Sequence, residues 1–147
     1  MEAKQYFRQV RSEQKEIQRL REAIDLKYGQ LLPKAIRYDK DNIQTSVTDY
    51  TSEILTSIAD YIAKLEKLTA KLEAKRSEAL SMVTTLDKSK ERDVMRLYYL
   101  ETDTKGNLYT WDGVADKMGY STETVLKAHG NALEELKKFF EKIEKST

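Results

Sequence analysis

The 147 residues suffice for one domain or two small ones, and the mix of 35% charged and 39% apolar residues with five glycines and one proline points to an all-helical protein, rich in helix formers and poor in breakers. The absence of cysteine excludes disulfides and thiolate chemistry, no apolar run approaches the ~20 residues of a membrane-spanning helix, and MEAKQYFRQ has no apolar signal core, so the expected location is the cytoplasm. A net charge of +1 gives no global electrostatic case for nucleic acid, and neither part of the chain makes one: residues 1–86 hold 15 basic and 13 acidic side chains, residues 87–147 hold 11 and 12.

Tyr6, Val10, Ile17, Leu20, Ile24 and Tyr28 recur at spacings of three, four and seven, which predicts one apolar face of a helix from Glu2 to Tyr28. Gly29 offers a stop and Pro33 opposes continuation. RYDKDN (Arg37 to Asn42) has no helical period, so Gly29 to Val47 reads as a connection, with one short turn around Leu31–Ile36. Ser46, Thr48 and Asp49 are candidate N-caps for the second helix.

That second helix carries the longest regular signal in the chain. Ile54, Ile58, Tyr61, Leu65, Leu68 and Leu72 step by four and three; Lys75 interrupts, and Ala79, Met82 and Leu86 resume the register. A period of 3.5 describes a coiled-coil seam, and a helix from Thr48 to Leu86 would be roughly 58 Å long at 1.5 Å per residue. Such a stripe needs a partner, either the first helix folded back as an antiparallel hairpin or a second copy of the chain in a homodimer or other self-association. Residues 1–86 are therefore expected to form a helical hairpin or coiled-coil module whose work is spacing and pairing.

From residue 87 onward the pattern changes to short helices. Asp87 or Ser89 can cap a helix running to Leu100, with Val94, Leu97 and one of Tyr98 or Tyr99 facing inward. Thr102 to Asn107 is a turn-rich loop, sharpest at Gly106-Asn107. Thr110 caps the next helix, although Gly113 stands where a capping box would have Glu. Trp111, Val114, Ala115 and Met118 form its inward face, and Gly119 ends it in a left-handed conformation that only glycine adopts cheaply. Ser121 caps a longer helix with Val125, Ala128 and Leu133 as its buried stripe.

This is the plan of a helix-turn-helix domain over residues 87–147, in which the helix starting near Thr122 reads the major groove of double-stranded DNA. Ser121, Thr122, Glu123, Thr124 and Lys127 are the expected reading positions, and Thr110 and Asn131 are placed to reach phosphates. Threonine contacts bases or phosphates, glutamate accepts from cytosine, and lysine reaches guanine or a phosphate. The bland alternative is three small helices with a polar outer face.

TWDGVADKMGYSTETVLKAHGNALEEL (Thr110 to Leu136) resembles the fourth region of bacterial sigma factors, where a Thr opens the first helix of the motif and a Ser or Thr opens the recognition helix. An Ala-Leu pair late in that helix corresponds to Ala132 and Leu133. The fuller pattern is similar to phage-encoded late-transcription activators of the RinA and ArpU type: Trp111 after the opening Thr, Gly119-Tyr120-Ser121 before the recognition helix, and His129 to Leu133 within it. Their helix, polar connection (Ile43 to Ser46) and long helix resemble the N-terminal part as well. The resemblance implies activation of phage late genes by binding a promoter, with RNA polymerase as a second partner. Threonine stands here where such helices often carry arginine, so the phosphate term is weaker.

No other chemistry is expected. His129 is the only histidine, and with no cysteine and carboxylates nearby only on neighbouring helix turns a metal site is not expected; such a histidine packs against the preceding helix or borders a phosphate. Glu134-Glu135 sits on a solvated face with no pocket implied, and no glycine loop cradles a phosphate. The protein reads as non-enzymatic, without catalytic residues, cofactor or metal. Phe139, Phe140 and Ile143 are expected to pack back on the long helix, and the nine tyrosines to sit half-buried with wet hydroxyls. The leading reading is a sequence-specific DNA-binding transcriptional regulator. The alternatives are an interaction module for RNA polymerase or another regulator, and the small DNA-recognition subunit of a phage packaging motor.

Overall fold

The computed structural model describes residues 2–36 and 44–146, with side chains described for residues 2–31 and 50–145. Among these the protein is all-helical: α1 (Ala3–Ile36), α2 (Gln44–Thr84), α3 (Ser89–Met95), α4 (Trp111–Met118) and α5 (Thr122–Ser146). No described helix is long and apolar enough to cross a membrane.

The connection expected from Gly29 to Val47 is corrected at both ends. α1 continues through Gly29 and Pro33, so Leu31–Ile36 belongs to one continuous helix instead of a separate turn. Gly29 keeps helical dihedrals, and a glycine on an exposed helix position costs about 1 kcal/mol relative to alanine without forcing a stop. Pro33 falls in the last turn of α1, where its missing N–H leaves the carbonyl of Gly29 without its helical donor. α2 begins at Gln44, which puts Ser46, Thr48 and Asp49 inside the helix and not at its cap. The stretch 37–43, most of RYDKDN included, lies outside the described residues.

The chain divides into two compact units, Met1–Lys15 with Lys71–Thr147, and Glu16–Ala70. The boundary expected after Leu86 thus falls inside the first unit. In the second unit, Ile24 of α1 packs with Ile54 and Ile58 of α2 as a buried seam, flanked by Leu31, Tyr50, Tyr61, Ile62 and Leu65. The ammonium groups of Lys27 and Lys64 approach the Tyr61 ring at 5.4 and 5.9 Å. Tyr28, expected on the inward face, is 47% exposed, and Leu26 is 70% exposed.

The first unit has a deeper core. Phe7 and Val10 from the start of α1 are fully buried, together with Val83, Val94, Met95, Val114, Val125 and Leu136. Phe7 packs against Tyr99 (ring centroids 5.5 Å apart), and Tyr6 against Phe140 (5.6 Å). Phe140 thus meets the start of α1 through Tyr6, whose hydroxyl donates to the Lys75 carbonyl of α2, and Ile143 stays 43% exposed. Lys75, the break in the α2 heptads, is explained here: its ammonium donates to Glu13 Oε1 at 2.7 Å.

Neither Asp87 nor Ser89 caps α3. Lys88 occupies the cap position without a side-chain bond, and the Arg92 guanidinium reaches back to the carbonyls of Leu86 and Asp87. α3 then widens into a π-helical turn, Arg96–Leu100. The wider turn lets neighbouring residues face different partners, so both tyrosines are used: Tyr99 is buried, while Tyr98 stacks on Trp111 with centroids 3.6 Å apart and planes 8° from parallel. A helix end leaves carbonyls without intrahelical donors; here Arg11 donates to Tyr98 O and Tyr109 O, and Gln14 to Tyr99 O. The loop between the π turn and α4 turns on Asp103, whose Oδ1 accepts from the N–H groups of Lys105 and Asn107, with Gly106 at φ 84°.

Candidate nucleic-acid interface

Thr110 Oγ1 accepts the Gly113 N–H at 3.0 Å and so caps α4. A Cβ at Gly113 would lie 3.3 Å from that same oxygen, a tight contact that a small shift of the hydroxyl relieves. Val114 and Ala115 are buried in a cluster with Val94, Leu97, Val125 and Ala128, and Trp111 and Met118 close its edge. The small side chain of Ala115 lets α4 pack closely on α5. Gly119 ends α4 at φ 74°, ψ 28°, its N–H and that of Tyr120 both returning to Ala115 O.

Ser121 then starts α5, its Oγ accepting the Thr124 N–H at 3.1 Å. The buried stripe of α5 is Val125, Ala128, Ala132 and Leu136. Leu133, expected in that stripe, is only half-buried, because steps of three, four and four centre the stripe on Ala132.

The expected reading positions, with Asn131 expected at a phosphate, divide into two groups. Ser121, Thr122 and Thr124 are engaged within the protein: the Ser121 and Thr124 hydroxyls share a hydrogen bond of 2.8 Å, and the Thr122 hydroxyl donates to Asp112 Oδ1 at 2.7 Å. Glu123, Lys127 and Asn131 lie one helical turn apart, all exposed, and make no hydrogen bond or ion pair among the described residues. They present a carboxylate, an ammonium and an amide along one outer line of α5. Leu126 stands beside them at 44% exposed, and Tyr120, in the turn, at 45% with the Lys90 ammonium 4.5 Å from its ring. Thr110 is exposed at the start of α4, with its oxygen already accepting a bond.

His129 faces the other side of α5. Its Nε2 shares a 2.7 Å hydrogen bond with the Tyr99 hydroxyl, and its ring lies 4.5 Å from Trp111. Burial, then the nearby charges of Lys4 and Arg8, lower its pKa to about 4, so the ring is neutral at pH 7. Burial, followed by Tyr98, pushes the Tyr99 hydroxyl up to about 12. No cluster of three or more His, Asp or Glu side chains suited to a metal ion occurs among the described residues.

One set of residues at this surface is not singled out by the sequence patterns. A cleft of about 520 Å³ opens beside His129 and Leu126, and its opposite wall is α1, with Lys4, Arg8, Arg11 and Lys15. The signal is present as cations at steps of four, three and four. It carries no meaning while residues 1–86 are set apart from the C-terminal helices. Arg11 is tied to backbone carbonyls and lies 3.8 Å from the centre of the Tyr98 ring, whereas Lys4, Arg8 and Lys15 are exposed.

The chain matches no protein-family model, no curated protein and no solved structure with which it was compared.

Proposed function

We propose that the protein is a sequence-specific DNA-binding transcriptional regulator, non-enzymatic and cytoplasmic, in which α4, the Gly119 turn and α5 act as a helix-turn-helix. The observation that carries this reading is the exposed line Glu123, Lys127 and Asn131 on α5, held over a buried α4–α5 crossing by two side-chain caps and a left-handed glycine. In a major groove these three groups offer an acceptor for cytosine, a donor for guanine or phosphate, and a bidentate amide for adenine. The sigma-like pattern from Thr110 to Leu136 supports a phage late-gene activator of the RinA/ArpU kind. Glu16–Ala70 acts as a helical hairpin that pairs copies of the chain, a role supported by the exposed Leu26 and Leu55 beside its thin seam.

Selection of bound duplexes from random DNA is expected to enrich one sequence; a selection without enrichment overturns the reading. Glu123→Ala should then cost on the order of 1–3 kcal/mol at particular base pairs, and Lys127→Ala should weaken all duplexes alike. A second reading, docking on RNA polymerase or another protein, is favoured by the apolar exposure of Leu126 and Tyr120. Polymerase capture that survives Lys127→Glu and is lost in Leu126→Asp supports it.

A further inference from the structure

We infer that the first turns of α1 form a phosphate clamp, with Lys4, Arg8 and Lys15 gripping the backbone of the same duplex that α5 reads. The inference rests on the DNA-binding reading above and supplies what that reading lacks, since Lys127 is the only cation among residues 122–136. Phosphate contacts provide most non-specific affinity for DNA, and one lysine is too few.

Three observations place the cations for this work. Lys4, Arg8 and Lys15 line the cleft that Leu126 and His129 of α5 complete, so the basic wall meets α5 at Leu126, the neighbour in sequence of Lys127 on the exposed line. The charges of Lys4 and Arg8 are felt by His129 on α5. From Lys4 to Lys15 α1 rises roughly 16 Å, the axial length of about five nucleotides of one strand.

The three cations are also available. None forms a hydrogen bond or ion pair among the described residues, in contrast to Lys75 on Glu13 and Arg96 on Asp93 and Glu101. Glu13, one of the two acidic residues among the first fifteen, is held by Lys75 and does not neutralise the stripe. The wall is stiff as well, because Arg11 and Gln14 tie α1 to the carbonyls of Tyr98 and Tyr99. Cations on a fixed helix lose less freedom on binding than cations on a mobile tail.

The test compares the full-length protein with Lys4→Gln/Arg8→Gln/Lys15→Gln on a selected duplex and a scrambled one, between about 50 and 200 mM salt. The expected result is a slope of log K against log salt shallower by roughly 2–3, a loss of about 10- to 100-fold on both duplexes, and an unchanged ratio between them. An unchanged slope and affinity overturns the clamp while leaving the reader standing. A collapsed ratio also overturns it, because the side chains would then be reading bases. Wild-type protein that binds no duplex at low salt overturns the clamp and the reader together. If circular dichroism shows the triple variant unfolded, the single variants replace it, each expected to take about 0.9 from the slope, and no change in any of them is the overturning result.

Discussion

The two compact units bury their apolar residues in different ways. In the first, five helical segments and a π turn surround side chains that are entirely enclosed, among them Phe7, Val10, Met95, Leu100 and Leu136. In the second, two helical segments meet along a seam of three isoleucines, with half-buried tyrosines and leucines at its margin. A side chain enclosed on every side has no neighbour able to close the gap it would leave, whereas a seam open to water can collapse. The difference teaches where rigidity resides: the unit that holds Glu123, Lys127 and Asn131 is the one built to keep fixed geometry.

Phe7→Ala should be the largest single effect, a loss of about 3–5 kcal/mol by urea unfolding, because the ring fills space against Tyr99 and Tyr6. Ile58→Ala should cost about 2 kcal/mol, at the low end for such truncations; an equal cost at the two sites would break the comparison. Hydrogen exchange sharpens it, with slower amides expected around Val94 and Val125 than around Ile54.

Lowering the pH should weaken the first unit through His129. Its folded pKa of about 4 lies below the ordinary 6.5, so above pH 6.5 the neutral ring suits both states and the stability is fully present. As pH falls from 6.5 towards 4 the unfolded chain takes a proton that the folded chain refuses, and stability declines. The expected loss is about 1–2 kcal/mol, discounted because the ring is only half-buried and water screens Lys4 and Arg8. Unfolding of His129→Gln should show a flatter pH profile over that window. The smallest effect is a gain: Gly29→Ala in the second unit should add about 1 kcal/mol at most, since a Cβ there meets nothing within 4 Å. Thermal melts followed at 222 nm would read it.

Local chemistry was legible in the sequence where it acts over one or two turns. Thr110, Gly119 and Ser121 cap or end their helices as their types demand, and Val114, Ala115, Val125 and Ala128 are buried as their spacing implies. Signals that depend on context misled. Gly29 and Pro33 looked like a stop, yet α1 runs past both. Leu133 outranks Ala132 in hydropathy, but the three-four-four spacing of Val125, Ala128, Ala132 and Leu136 puts Ala132 in the buried stripe. The Lys4–Lys15 stripe shows no sign in its own segment of which surface it borders, because that is settled by Phe7 meeting Tyr99, 92 positions along the chain.

That last pairing bears on how the molecule assembles. The guanidinium of Arg11 closes loops of 87 and 98 residues when it reaches Tyr98 O and Tyr109 O, and closing long loops costs entropy that is recovered only once the far contacts form. During synthesis Phe7 emerges 92 residues ahead of Tyr99 and stays uncovered by that ring until it follows. A fragment beginning at Asp87 would lack the ring that packs on Tyr99 and the donors for the carbonyls of the π turn. Tyr99 and the π turn, made later, complete the core that Phe7 begins.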